Sequence, residues 1–436
     1  MRVAHSISAL SKRPWIALVP VAIFHLIFTL SVFSVGRYGW APKHFNPDGI
    51  GEFGMDSHRH QITVEGLVNT LKQGQVRSWF NSPEQLHAKI YSLSVLPMGF
   101  LGGSTILAVE PVNLLYYLAI LTLTFGLGKL VAGVRAAWLA ALIVAFWPSL
   151  VLHTTQFLRD PLLLTAFLAL ITVLVLLLRE NFNWLWATGA TIAGTASIYV
   201  VLRTRPALLP VITAVIVLSA FLLLARIVFL RKLFALNLLA VAVLVLVTLT
   251  TSSQRATIEG QPRSGGPPRS ASIWSFVATA RYNFIADGRN VSSSIIDGDV
   301  FFNSATDVIG YVPRALEIGY LAPFPSMWVQ AGQNVGLVGR LLSGVEMMLT
   351  YLFEIFAGIF VWRNRKHFSS WLLVFTTVIG MLALGMVVVN VGTLYRMRYP
   401  FWVLLVIMAA GSLVHLRVAG MPAANRFDSA DEPIQS

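Results

Sequence analysis

Five arginines, two aspartates and two histidines stand out because this apolar chain places them in short stretches between its long apolar runs. Arg159 and Asp160 lie in "HTTQFLRDPLLL", Arg203 and Arg205 in "VLRTRPALL", Arg396 and Arg398 in "TLYRMRYPF", and Asp56, His58 and His60 in "GMDSHRHQITVEG". A guanidinium is planar, keeps its charge and grips two phosphate oxygens at once, whereas a lysine offers a point charge. Three separate loops that present arginine therefore suggest a cradle for phosphate. The aspartates add a base or an orienting group. Asp56 and His60, four apart, share a helical face where a divalent ion is conceivable. Two or three mixed ligands without fixed spacing do not define a metal site, so no metal or other cofactor is assigned.

Each residue also has a structural alternative. Asp160 before Pro161 is a common way to start a helix. Asp56 could cap its own helix, although Asp48, Glu52, His58 and His60 crowd ionisable groups around it. The arginines could snorkel to lipid headgroups. His25, Glu346 and Glu354 fall inside apolar runs, where ionisable groups are costly; a neutral hydroxyl or Arg340 as partner would make the two glutamates structural. The glycosylation-like "NVS" at Asn290 carries little weight.

The elements that must position these groups are membrane helices. Of 436 residues, 56% are apolar and 12% charged, and runs such as 161–178 reach the ~20 residues that cross hydrocarbon as a helix. They are continuously apolar rather than alternating, which excludes a barrel. There is no cysteine, hence no disulfide and no thiol chemistry. The net charge of +13 is scattered at the ends of apolar runs, without a basic domain, so nucleic acid is not the expected partner.

We expect an all-α polytopic membrane protein, one membrane domain over 1–436, with about ten transmembrane helices. They fall near 15–36, 111–131, 136–153, 161–178, 184–202, 206–225, 233–251, 341–362, 371–391 and 400–416. The first is read as a retained helix rather than a cleaved signal. The segment 90–101, short and holding Pro97, reads as re-entrant or interfacial. With the N-terminus inside, Lys12, Lys129, Arg179, Arg226 and Arg363 collect on the cytoplasmic side. Both termini are then cytoplasmic, and residues 418–436 form a disordered tail. Two outer-face loops result, 37–110 and 252–339, each carrying juxtamembrane helices. In the first, Val64, Leu67, Val68 and Leu71 give an amphipathic helix expected to lie flat on the membrane. The second opens on a flexible "SSQRATIEGQPRSGGPPRS" and continues into aromatic segments expected to fold onto the bilayer surface and wall a cavity. No internal repeat is visible.

This order of features resembles the GT-C superfamily of membrane glycosyltransferases, in particular the family 39 type of protein mannosyltransferases and aminoarabinose transferases. "GMDSHRH" matches the acidic residue after the first span, "LRDPLLL" the Asp-Pro start of a later one, and "YRMRYPF" the basic, aromatic entry to the last helix. The stretch "YVPRALEIGYLAPFPSMW" looks like a loop motif of bacterial members. The usual Asp-Glu is here Asp-Ser, and a Pro-Pro motif is reduced to "SPEQLHAKIY".

The resemblance implies a GT-C-like fold in a bacterial cytoplasmic membrane, with its site facing the periplasm. It implies inverting transfer of a sugar from a polyprenyl-phosphate donor to a hydroxyl of a glycan, lipid or protein acceptor. Asp56 would be the base, with Asp160 orienting. Arg159, Arg203, Arg205, Arg396 and Arg398, with His58 and His60, would hold substrate. A flippase of lipid-linked sugars, or a glycan polymerase or ligase with a polyprenyl-diphosphate donor, are the competing classes.

Overall fold

The computed structural model describes residues 14–51, 55–231, 234–258, 273–288, 295–330 and 336–419. These form helices α1 (Leu18–Arg37), α2 (Met55–Lys72), α3 (Val76–Asn81), α4 (Leu86–Met98), α5 (Ile106–Ala132), α6 (Val134–Ala145), α7 (Pro148–Thr154), α8 (Asp160–Arg179), α9 (Trp184–Thr204) and α10 (Leu209–Leu230). The chain continues through α11 (Ala235–Ile258), α12 (Ile273–Gly288), α13 (Ala305–Gly310), α14 (Val312–Leu321), α15 (Pro325–Trp328), α16 (Gly336–Arg363), α17 (Phe368–Val387), α18 (Val391–Met397) and α19 (Tyr399–Ala419). No strand occurs among the described residues, only two isolated bridges.

Every expected span is helical, but the count changes. Seven helices are long and apolar enough to cross a membrane, or nine if two bent pairs each count as one span. The span expected at 233–251 is α11, whose apolar part, Ala235–Thr251, is shorter. The span expected at 136–153 is the bent pair α6–α7. Pro148 lacks an N–H and pushes Trp147 into an extended conformation, and the helix axis turns by 66° there. The second bend, 55°, separates α18 from α19.

Helix α8 is central because it is apolar on all sides and so has no face to give to water. It packs against α5, α9, α10, α17 and α19, and Phe167, Leu168, Leu170, Ile171 and Leu174 are fully buried. Its ionisable residues are confined to its ends. Arg179 closes the far end, where its carbonyl accepts from Arg226 Nη2 at 2.7 Å; Lys129 and Arg363 lie in the last turns of α5 and α16. Near that end, Gly411 of α19 meets Phe360 and Ala132. Helix α19 therefore ends on the side away from Asp160.

The first loop folds onto the protein. Val64, Leu67 and Val68 of α2 are buried with Ala88, Tyr91 and Val95 of α4, so the stripe expected to lie on the membrane packs against α4. The segment expected to be re-entrant or interfacial is α4 itself, with Pro97 near its end. Tyr91 donates to the Leu158 carbonyl at 2.8 Å, and Gln156 Oε1 accepts from the Gly51 amide at 2.8 Å. These bonds hold the first loop against the segment that leads into Arg159.

The second loop lies along α17. Gly319 and Gly385 allow this, because a Cβ on either would collide with the carbonyl of Met381 or Ala315 across the crossing of α14 and α17. Arg281, fully buried, donates to the carbonyls of Val300, Asp297 and Met386 at 2.7–2.9 Å. The amide of Ile296 bonds the Val389 carbonyl at 2.9 Å, steadying the turn before α18. The stretch expected to be flexible from Ser252 continues α11 as helix to Ile258. Its remainder, Glu52, Asn290 and residues 420–436 of the tail lie outside the described residues.

Candidate functional site

Four distant parts of the chain meet at one end of the bundle. Asp56 comes from the first turn of α2, Asp160 from the start of α8, Arg205 from the turn after α9, and Arg396 from the last turn of α18. Arg396 Nη2 donates to Asp56 Oδ2 at 2.6 Å, and its Nη1 lies 3.7 Å from Asp160 Oδ2. Arg205 Nη2 donates to Asp160 Oδ1 at 3.3 Å. Arg159, beside Asp160 in sequence, bonds Gln85 Oε1 at 3.3 Å and shares a cavity wall with Asp56.

Capping does not account for Asp160. Its helix opens without any side-chain cap bond, and the carboxylate turns to the two arginines. The two aspartates differ in access: the side chain of Asp56 is 42% exposed, that of Asp160 only 7%. A bound molecule can reach the first, while the second is enclosed among cations. Burial opposes charge on Asp56, but the Arg396 guanidinium, its hydrogen bond and Arg159 outweigh it and hold the carboxyl below its usual value.

The cavity beside Asp56 has a volume of about 260 Å³ and is walled by α2, the α3–α4 turn, α4 and Arg159. His60 lies on its wall; burial pushes this imidazole down to about 4, Arg159 adding to the effect and Asp56 opposing it. The second loop is expected to wall a cavity, but none of its described residues lines this one. It acts at one remove, through the bond to Val389 and through Asn390, whose side chain caps α18 by accepting from the Thr393 amide at 3.1 Å.

Three residues singled out in the sequence stand apart from this cluster. Arg203 is exposed at the end of α9, and His58 is exposed on α2 beyond the cavity lining. Arg398, two residues from Arg396, points into the protein. It donates to the Ala322 carbonyl at 2.7 Å, the Tyr320 carbonyl at 3.3 Å and Met347 Sδ at 2.8 Å, and so ties α14 to α16 and α19. Among the described residues no group of three or more His, Cys, Asp or Glu side chains is placed to hold a metal ion.

Of the intramembrane acids, Glu346 and Glu110 are partnered by neutral groups or histidine, whereas Glu354 Oε1 is buried without a hydrogen-bond partner. Glu346 accepts from the Ser149 amide at 2.8 Å and from the Tyr395 hydroxyl, which braces the turn carrying Arg396. Tyr399, at the start of α19, bonds Ser149 Oγ at 2.9 Å. His25 pairs with Glu110 at 2.8 Å and with Thr154 Oγ1 at 3.0 Å. Residue spacing alone missed His87 and Gln85. The available signal was His87 and Tyr91, four apart on a helix that follows a polar turn.

No family model and no curated protein matches the sequence. Solved structures do. The Archaeoglobus fulgidus oligosaccharyltransferase tethered with an acceptor peptide aligns over 96% of this chain and 52% of its own, at 14% identity and a TM-score of 0.50. The oligosaccharyltransferase AglB from Archaeoglobus fulgidus, in complex with an inhibitory peptide and a dolichol-phosphate, aligns over 94% and 52%, at 13% identity and 0.50. ArnT from Cupriavidus metallidurans bound to undecaprenyl phosphate aligns over 92% and 60%, at 13% identity and 0.43. The chain spans about half the length of the oligosaccharyltransferase. What the likeness establishes is the fold: an all-helical, GT-C-like membrane protein, as the order of motifs implied.

Proposed function

We propose that the chain is a membrane glycosyltransferase that moves a sugar from a polyprenyl-phosphate donor to an acceptor hydroxyl, with inversion, on the outer face of a bacterial cytoplasmic membrane. The observation that carries this reading is the sharing of Arg396 between Asp56 and Asp160, with Arg205 and Arg159 alongside. Three guanidinium groups face two carboxylates, so the site has one positive charge more than it uses. A sugar phosphodiester brings one negative charge; a diphosphate brings two. The balance therefore favours the monophosphate donor over the diphosphate of a polymerase or ligase. The fold supports the same class, since the oligosaccharyltransferase was captured with a dolichol-phosphate and, separately, with an acceptor peptide.

In the reaction Asp56 takes the proton of the acceptor hydroxyl, its oxygen attacks the anomeric carbon, and the bond from that carbon to the phosphate oxygen breaks. The electron pair leaves with the phosphate, which Arg396, Arg205 and Arg159 stabilise as charge grows on it. No general acid is needed, unlike the paired carboxylates of glycosidases, because the leaving phosphate is a stable anion. Before the donor binds, Arg396 suppresses the basicity of Asp56. A phosphate that draws the guanidinium away releases it, so donor binding precedes base action. Asp160 keeps Arg205 and Arg396 in place. The exposed Arg203 is assigned to membrane headgroups. The outer-face orientation rests on the basic residues at the opposite end of the bundle.

The test is purified protein in liposomes supplied with a polyprenyl-phosphate sugar and candidate glycan, lipid and peptide acceptors. Transfer should occur and fall by ~100-fold or more in Asp56→Asn. Native-rate transfer by that variant removes Asp56 from the chemistry. The two bent spans would also suit a carrier of lipid-linked sugar; movement of the lipid across the bilayer without bond formation would select that reading.

A further inference from the structure

Beside the arginine cluster lies a group of polar atoms that it does not use. His87 is fully buried on α4, and neither of its ring nitrogens has a hydrogen-bond partner; His60 Nε2 is also buried and unpartnered. Such unpaired atoms are costly to bury, so a bound group that pairs them is favoured. The two rings meet edge to face, 4.3 Å between centroids, and both line the 260 Å³ cavity with Thr63, Glu84 and Gln85.

We propose that this cavity is a saccharide subsite, in which the His60–His87 pair, Thr63, Glu84 and Gln85 recognise the hydroxyls of one sugar ring next to the reacting phosphate. The inference rests on the transferase reading and extends it to the sugar. A neutral imidazole donates at one nitrogen and accepts at the other, and so matches a hydroxyl, which does both. Burial pushes His87, like His60, well below its usual value, which keeps both rings in that neutral form. The wall changes from paired donor and acceptor groups to cations at Arg159, as a sugar joined to a phosphate requires. The volume falls just under the ~300–1,000 Å³ of small-molecule pockets, enough for one ring and too little for a chain. The ring is either that of the donor or that of an acceptor glycan.

Saturation-transfer NMR on the full chain in nanodiscs tests this without turnover, using free hexoses, N-acetylhexosamines and pentoses at tens of millimolar. At least one sugar should receive saturation, and the signal should drop severalfold in His60→Gln and in His87→Gln. If His87→Gln does not fold, His60→Gln decides, because His60 lies partly open on the wall. A sugar 1-phosphate separates the two sources. Binding about tenfold tighter than the free sugar, with the gain lost in Arg396→Gln, marks a donor subsite; equal binding marks an acceptor subsite. No saturation of any sugar, a signal unchanged in His60→Gln, or one zinc or manganese ion per chain that either histidine variant releases would overturn the proposal. Sugar binding without transfer in the liposome assay would instead sink only the transferase reading, and transfer without sugar binding only the subsite.

Discussion

Two arginines two residues apart show how little residue type alone decides. Arg396 faces two carboxylates, whereas Arg398 is surrounded by carbonyls and a thioether. Arg396→Gln should therefore cost ~100-fold or more in transfer rate with little loss of fold. Arg398→Gln should do the reverse, lowering the thermal midpoint while the folded fraction keeps its donor KM. A radiolabelled-transfer assay on size-selected protein separates the two. The histidines make a pH prediction. Burial pushes His60 down to about 4 in the folded chain from an ordinary 6.5, so between those values the unfolded chain binds more protons and stability falls as pH falls. Asp56, with its lowered value, keeps its contribution throughout that window and loses it only in stronger acid. Thermal midpoints measured from pH 7 to 4 should decline, less steeply in His60→Gln; identical slopes would contradict the assignment.

Among elements, those that never touch the cavity decide where Arg396 sits. The second loop grips α17 through the crossing at Gly319 and Gly385, bonds Val389, and leads to the Asn390 cap of α18. Gly385→Val should force α14 away at a cost of ~1–3 kcal/mol, visible as faster amide exchange in α14 and a higher donor KM, while α2 and α4 remain protected. Unchanged exchange in α14 would show that the crossing is not tight. The helices themselves were legible in the sequence, since long apolar runs have one solution in lipid. Their bends were not: Pro148 sits in a run that reads as continuous, and its effect depends on Trp147 adopting an extended backbone. The apolar stripe of α2 was equally visible, but amphipathicity does not tell lipid from protein, and the partner turned out to be α4.

For the molecule as a whole, the sequence foretold that charged loops belong to one end of a bundle, because ionisable residues flank apolar runs. It could not sort them. Asp160, Arg159 and Arg205 follow from adjacency to helix ends, while the meeting of Arg396 with Asp56 joins residues 340 positions apart. Absence of cysteine makes the orientation easy to probe. Arg203→Cys should react with a membrane-impermeant maleimide from outside intact cells, and Lys366→Cys, at the opposite end, only after lysis; the opposite pattern would invert the topology. The central claim is that Arg396 is shared between the aspartates and the donor phosphate, and binding of undecaprenyl phosphate to the native protein, Asp56→Asn and Arg396→Gln tests it most directly. Asp56→Asn should bind the lipid on the order of tenfold more tightly, ~1.4 kcal/mol, because the guanidinium is no longer held, and Arg396→Gln should bind it more weakly. Weaker binding by Asp56→Asn, or native binding by Arg396→Gln, would contradict the account.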